Sequence, residues 1–206
     1  STLEGGIVLD PFAGSGTLLQ EALLLGFRAI GSDLEQKAVE NSEKNLEWFR
    51  NRYHVAPGKY KLFAADAAEI SIQLPANVTN AKISAIVTEG TLGPIYGKLP
   101  KKPEMLTNFK NLAKLYEQVF AEFAKLLQGG QRVVMCLPAY KIGQQDYEFM
   151  PSVDFAEKNG YTILDPIPQE LVKKYRFLKV TGRKSVVYDR KDQVVAREIM
   201  TFEKNL

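Results

Sequence analysis

Apolar and polar positions along this chain switch repeatedly between a strand period and a helix period, and the switches predict a βα repeat. Ile7-Val8-Leu9 is an aliphatic run closed by Asp10 and reads as a buried strand, because Pro11 cannot continue a central one. Leu18–Leu25 reads as a helix capped by Thr17 and stopped by Gly26. Phe27–Asp33 reads as a second strand. Glu35–Arg52 reads as an amphipathic helix with Ala38, Leu46, Phe49 and Tyr53 near helical spacing and Trp48 packed beside them. Tyr60–Ala67 predicts a third strand, Ala67–Gln73 a short helix and Lys82–Thr88 a fourth strand. The stripe Leu106, Phe109, Ala113, Tyr116, Phe120, Phe123 and Leu127 predicts a long helix over Glu104–Gln128, ended by Gly129-Gly130. Gln131–Pro138 is a fifth, buried strand. Beyond it, Tyr140–Phe149 is polar and irregular, Pro151–Asn159 helical and Tyr161–Leu164 a strand, while Gln169–Lys174 has no decisive pattern. Lys184–Tyr188 and Val194–Met200 flank the polar Asp189–Gln193 and read as an antiparallel hairpin. The expected fold is α/β, a mostly parallel seven-stranded sheet with helices on both faces and a closing hairpin.

The chemistry concentrates where strands stop. Between the first strand and its helix lies Asp10-Pro11-Phe12-Ala13-Gly14-Ser15-Gly16-Thr17. Gly14 and Gly16 let backbone approach a ligand without Cβ interference, and the helix start leaves N–H groups aimed at whatever lies over the turn. A dinucleotide fold would ask for a third small residue, and Leu19 stands there instead. An acid ending the strand suits a cationic group such as the amine of a bound amino acid, not a pyrophosphate. Asp33 follows 23 residues later, near the spacing at which nucleotide folds place a carboxylate on ribose, and Asp66 ends the third strand. Parallel strands carry such ends to one edge, where these folds bind ligands. Asp33 also reads as a surface acid capping the next helix, and Asp66 as the N-cap of Ala67–Gln73, where it can serve both purposes.

Composition narrows the setting. A chain of 206 residues with 45% hydrophobic and 25% charged positions suits one α/β domain, residues 1–206. Its 27 basic and 24 acidic residues leave +3, which neither demands nor excludes nucleic acid. The single cysteine, Cys136, lies in an apolar run and reads as core; it excludes an internal disulfide and fits a reducing, cytoplasmic setting. His54 is the only histidine and has no second ligand at metal spacing, so no metal site is expected. No stretch is long and apolar enough for a membrane span, so no membrane partner is expected. Ser1–Gly6 is a short polar lead without an initiator Met, as in an excised domain.

Asp10–Thr17 closely resembles the first motif of S-adenosylmethionine-dependent methyltransferases in its D-P-F-x-G-S/T-G-T form. The resemblance extends over nearly the whole chain and points to the Rossmann-like class I enzymes, in particular the THUMP-associated tRNA guanine-N2 methyltransferases. It implies S-adenosyl-L-methionine as cofactor and S-adenosyl-L-homocysteine as product. Asp10, Pro11, Phe12, Ala13, Gly14, Ser15, Gly16 and Thr17 would hold its methionine portion, Asp33 and Leu34 the ribose, and Asp66 and Ala67 the adenine. Amino-methyltransferases place D/N-P-P-Y/F/W after the fourth strand. Here Glu89-Gly90-Thr91-Leu92 departs from that pattern, and Gly93-Pro94 and Tyr96 follow later. Glu89, Thr91 and Tyr96 are the catalytic candidates, with Glu89 also beside the cofactor. Lys98, Lys101 and Lys102 are candidates for phosphate contacts, equally readable as a solvated loop.

The expected activity is methyl transfer to an exocyclic amine, guanine N2 in tRNA above others. The resemblance also implies an N-terminal RNA-binding domain or a partner subunit outside this chain. A DNA adenine or cytosine amino-methyltransferase would share the sequence through Thr88, and a non-catalytic S-adenosylmethionine-binding module would share the cofactor turn. A nicotinamide-dependent dehydrogenase is the remaining alternative.

Overall fold

The structure, a computed structural model, describes residues 5–75 and 83–206. The polar lead before Gly5 and the expected strand start at Lys82 lie outside the described residues. Five strands, β1 (Ile7–Asp10), β2 (Arg28–Asp33), β3 (Tyr60–Ala64), β4 (Ile83–Glu89) and β5 (Arg132–Lys141), pair in parallel in the order β3-β2-β1-β4-β5. The sheet continues through β9 (Val195–Lys204), antiparallel to β5, to β7 (Tyr161–Leu164). Seven strands thus make the main path. Two short ones join it: β8 (Ser185–Tyr188) completes the expected hairpin with β9, and β6 (Tyr147–Phe149) pairs with the end of β5.

Successive strand residues face opposite layers, and the core divides accordingly. Ile7 and Leu9 join the larger apolar cluster with Ile70 of the short α3 (Ile70–Gln73) and Met105, Phe109, Tyr116, Phe120 and Phe123 of α4 (Lys102–Leu126). Val8 joins the smaller one with Leu19 and Leu23 of α1 (Thr17–Leu24) and Leu46 and Phe49 of α2 (Gln36–Tyr53). The expected stripe on α4 is displaced by one position at its start: Met105 is buried and Leu106 is 42% exposed. Trp48, expected to pack on α2, is 63% exposed, because the helix buries only the face that carries Ser42, Leu46 and Phe49.

Three expectations about strand and helix ends need correction. β3 stops at Ala64 and not at Ala67, where the 3₁₀ turn capped by Asp66 has begun. Thr17 is the first helical residue of α1 and not its cap; Gly16 caps it at φ 81°, and the Thr17 hydroxyl lies 3.1 Å from the Ser15 hydroxyl. Pro138 does not end β5, which runs to Lys141. It falls between the last residue paired to β4, Cys136, and the first paired to β6, Ala139, so a missing N–H toward that edge interrupts neither ladder. The C-terminus of α1 behaves as expected. Gly26, at φ 83°, donates to the Leu23 carbonyl and Phe27 to the Ala22 carbonyl, which satisfies the last turn.

Candidate functional site

Because β1, β2, β3 and β4 are parallel, Asp10, Asp33, Asp66 and Glu89 all arrive at the carboxyl edge of the sheet. Two cavities open there. One of about 490 Å³ is lined by Pro11, Phe12, Asp33, Leu34, Asp66, Ala67, Glu89, Thr91 and Leu115 of α4, among others. Its neighbour, of about 510 Å³, is lined by Asp10, Phe12, Ala13, Gly14, Ser15, Thr17, Glu89, Arg190 and Arg197, among others. Phe12 and Glu89 line both, so the four acids border one two-lobed crevice.

Each acid also holds the local backbone. Gly14 and Glu35 donate their N–H groups to the two oxygens of Asp33, at 2.9 and 3.0 Å, which pins the glycine turn to the end of β2. A carboxylate offers about four lone-pair sites, so two remain for a ligand. Asp66 caps the short 3₁₀ turn Ala67–Glu69 by accepting from Ala68 N at 2.9 Å, and its other oxygen has no partner among the described residues. Asp10 is almost fully buried. Thr88 Oγ1 donates to it at 2.7 Å and Phe12 N at 3.2 Å. Burial pushes its carboxyl up to about 7 against those two hydrogen bonds, with the charges of Asp33 and Glu89 acting the same way.

The turn itself fits a ligand that runs along backbone. At Gly14, with φ +53°, an added Cβ would find only the Phe12 carbonyl within 4 Å, at 3.9 Å, so the space beside it is open. Carboxylates in the first lobe, and a buried acid with a glycine turn in the second, match the hydroxyl, amine and cationic groups of a sulfonium nucleoside. The donor set therefore fits S-adenosylmethionine. Among the described residues no three His, Cys, Asp or Glu side chains come together to hold a metal ion.

The candidates after β4 separate. Glu89 and Thr91 border the crevice, whereas Tyr96 lines a different hollow of about 340 Å³ with Pro94, Pro103, Glu104, Thr107, Asn108 and Asn111. Its ring stands edge-on to Tyr140, centroids 5.9 Å apart. The loop is fixed to α4: Tyr116 OH donates to the Thr91 carbonyl at 2.6 Å, and Asn108 Nδ2 donates to the Leu92 carbonyl at 3.3 Å and to Tyr140 OH at 2.7 Å. Lys98, Lys101 and Lys102 are exposed beyond it. Lys101 is the N-cap residue of α4, with its N–H donating to Glu104 Oε2 at 2.8 Å, and Lys102 pairs with Glu148 at 3.3 Å.

Sequence reasoning missed Arg190 and Arg197. Arg197 Nη2 lies 2.9 Å from Glu89 Oε1 and its Nε 3.2 Å from Glu89 Oε2, a two-pronged ion pair between residues 108 apart in the chain. The available signal was the charged pair Arg197-Glu198 set between Ala196 and Ile199 within a strand, since charges in such a place require partners. Cys136, opposite Glu89 in register, is pushed up to about 12, chiefly by burial, so it carries no thiolate near neutral pH.

Among known proteins, a family described as DNA methylase matches residues 1–44. A tRNA (guanine(10)-N2)-dimethyltransferase of Methanothermobacter thermautotrophicus is 28% identical over 66% of this chain and 34% of its own length. A "Probable tRNA (guanine(10)-N2)-dimethyltransferase" of Methanothermococcus thermolithotrophicus is 31% identical over 60% of this chain and 74% of its own length. The chain spans about a third of the length of the first of these relatives. Among solved structures, magnesium protoporphyrin IX methyltransferase from Synechocystis, with bound S-adenosylhomocysteine, superposes with a TM-score of 0.60 at 14% identity, over 99% of this chain and 76% of that one. That likeness is one of fold.

Proposed function

The chain belongs to the tRNA (guanine(10)-N2)-dimethyltransferase family, and from that premise we propose that it methylates guanine N2 in tRNA with S-adenosylmethionine. The observation that carries this reading is the two-lobed crevice bordered by Asp10, Asp33, Asp66 and Glu89 at one sheet edge. In it, Asp10 and the Gly14–Thr17 backbone hold the methionine portion. Asp33 takes the ribose hydroxyls, and Asp66 with Ala67 takes the adenine. S-adenosylmethionine, when bound, supplies an activated methyl group on a sulfonium.

The chain's own residues need only position the amine, and positioning alone supplies much of the rate in such a transfer. Glu89 accepts an N–H of the target amine and turns the nitrogen lone pair toward the methyl. The bound sulfonium would supply the methyl to the amine that Glu89 holds, and that nitrogen would shed its surplus proton to solvent. The Thr91 carbonyl already receives the Tyr116 hydroxyl, which leaves Glu89 as the principal acceptor. The exposed Lys98 and Lys101 contact phosphates and place the RNA without reading its sequence.

Incubation with methyl-labelled S-adenosylmethionine and either tRNA or duplex DNA, followed by nucleoside analysis, tests the assignment. N2-methylated guanosine from tRNA is the expected product. Label confined to DNA adenine or cytosine would overturn it in favour of a DNA amino-methyltransferase, and no label with intact cofactor binding would point to a binding module.

A further inference from the structure

Glu89 has a longer, freer side chain than the Asp or Asn that usually ends this strand, and its side chain is 44% exposed. Left alone, such a side chain spreads over several rotamers, and a misplacement of about 1 Å in a positioning group can cost on the order of 100-fold in rate. Arg197, only 14% exposed, removes that freedom. Its guanidinium meets both carboxylate oxygens in the fork geometry that gives direction as well as attraction. The arginine is itself anchored. Its backbone is paired to Pro138 of β5 and to Tyr188 of β8, and its Nη1 donates to the side chain of Gln193.

We infer that Arg197 is the positioning residue of this site: it clamps Glu89 so that one lone pair on each oxygen is taken and the others face the amine of the incoming base. The inference rests on the methyltransferase reading above and adds a specific residue to it. β9 runs antiparallel to β5, so its first residues lie at the edge where the parallel strands end. The C-terminal hairpin thereby contributes to the reaction as well as closing the sheet. Gln193 holds the clamp, and Arg190 lines the same lobe.

The test is a double-substitution cycle on the full chain, with kcat and KM on tRNA, S-adenosylhomocysteine titration and thermal unfolding for each protein. Arg197→Gln should lower kcat about 10- to 100-fold with KM for tRNA and homocysteine-product affinity unchanged within about threefold. Arg197→Lys should recover part of the loss, because one ammonium cannot take both oxygens. The double variant Glu89→Gln with Arg197→Gln should be no slower than Glu89→Gln alone. Losses that multiply in the double variant would overturn the clamp. So would a tenfold or greater loss of S-adenosylhomocysteine affinity in Arg197→Gln, which would assign the arginine to the cofactor. Should Arg197→Gln not fold, the Arg197→Lys cycle decides by the same criteria. A wild-type chain inactive on tRNA would overturn the methyltransferase assignment and the clamp together, whereas an active one with multiplying losses would overturn the clamp alone.

Discussion

At Asp10 burial opposes ionisation. Its carboxyl is pushed from 3.8 up to about 7 by desolvation, with Thr88 and Phe12 pulling it back. Between about pH 4 and pH 7 the folded chain therefore holds a proton that the unfolded chain has released. Stability falls as pH rises through that window, by on the order of 4 kcal/mol in all for a shift of this size. Asp10→Asn keeps an acceptor for Thr88 and removes the titration. Urea unfolding at several pH values should give a variant whose stability changes less between pH 4 and 8 than the wild type's, and parallel curves would contradict the assignment. A cationic ligand beside Asp10 favours its ionised form, so affinity for S-adenosylmethionine should rise with pH through about 7. Asp10, Asp33 and Asp66 were legible in the sequence because each sits where an apolar run breaks. Arg197 was not, because its role depends on a partner 108 residues away.

At the scale of elements, the glycine turn depends on how closely α1 lies on β2. An added Cβ at Gly31 would meet Leu19 Cδ1 at 2.4 Å, Leu62 Cδ2 at 2.8 Å and the Ala13 Cβ at 3.1 Å. Gly31→Ala should cost about 1–3 kcal/mol, as overpacking of a filled layer does, and should also weaken ligand binding because Ala13 belongs to the turn. Denaturant unfolding with a ligand titration checks both, and wild-type values for the two would contradict the packing described. The first four strands and the long helix were readable because one period dominates each segment. β6 was missed: Tyr147–Phe149 is three residues long and gains its partner only because β5 continues through Pro138. The expected reach of Tyr96 into the site failed for a related reason. Asn108 and Tyr116 of α4 hold the intervening loop, and no local pattern records a tether from a helix.

Across the whole molecule, the strand order β3-β2-β1-β4-β5-β9-β7 explains why the site has two sources of side chains. Parallel strands bring their terminal acids to one edge, which the sequence alone implied. The antiparallel β9 brings its beginning to that same edge, and with it the arginine that pairs with Glu89. Net charge is only +3, so under the proposed function a grip on the RNA would fall to local groups such as Lys98 and Lys101 and not to the overall field. The proposed function requires the strand-end carboxylates of this fold to surround a sulfonium nucleoside. Calorimetry with S-adenosylhomocysteine on the wild type, Asp33→Ala and Asp66→Ala tests it most directly. The wild type should bind saturably, and each variant should bind more weakly by roughly 1–3 kcal/mol, the range for a buried donor left without its acceptor. Equal affinity in all three proteins, or binding of NAD in place of S-adenosylhomocysteine, would contradict it.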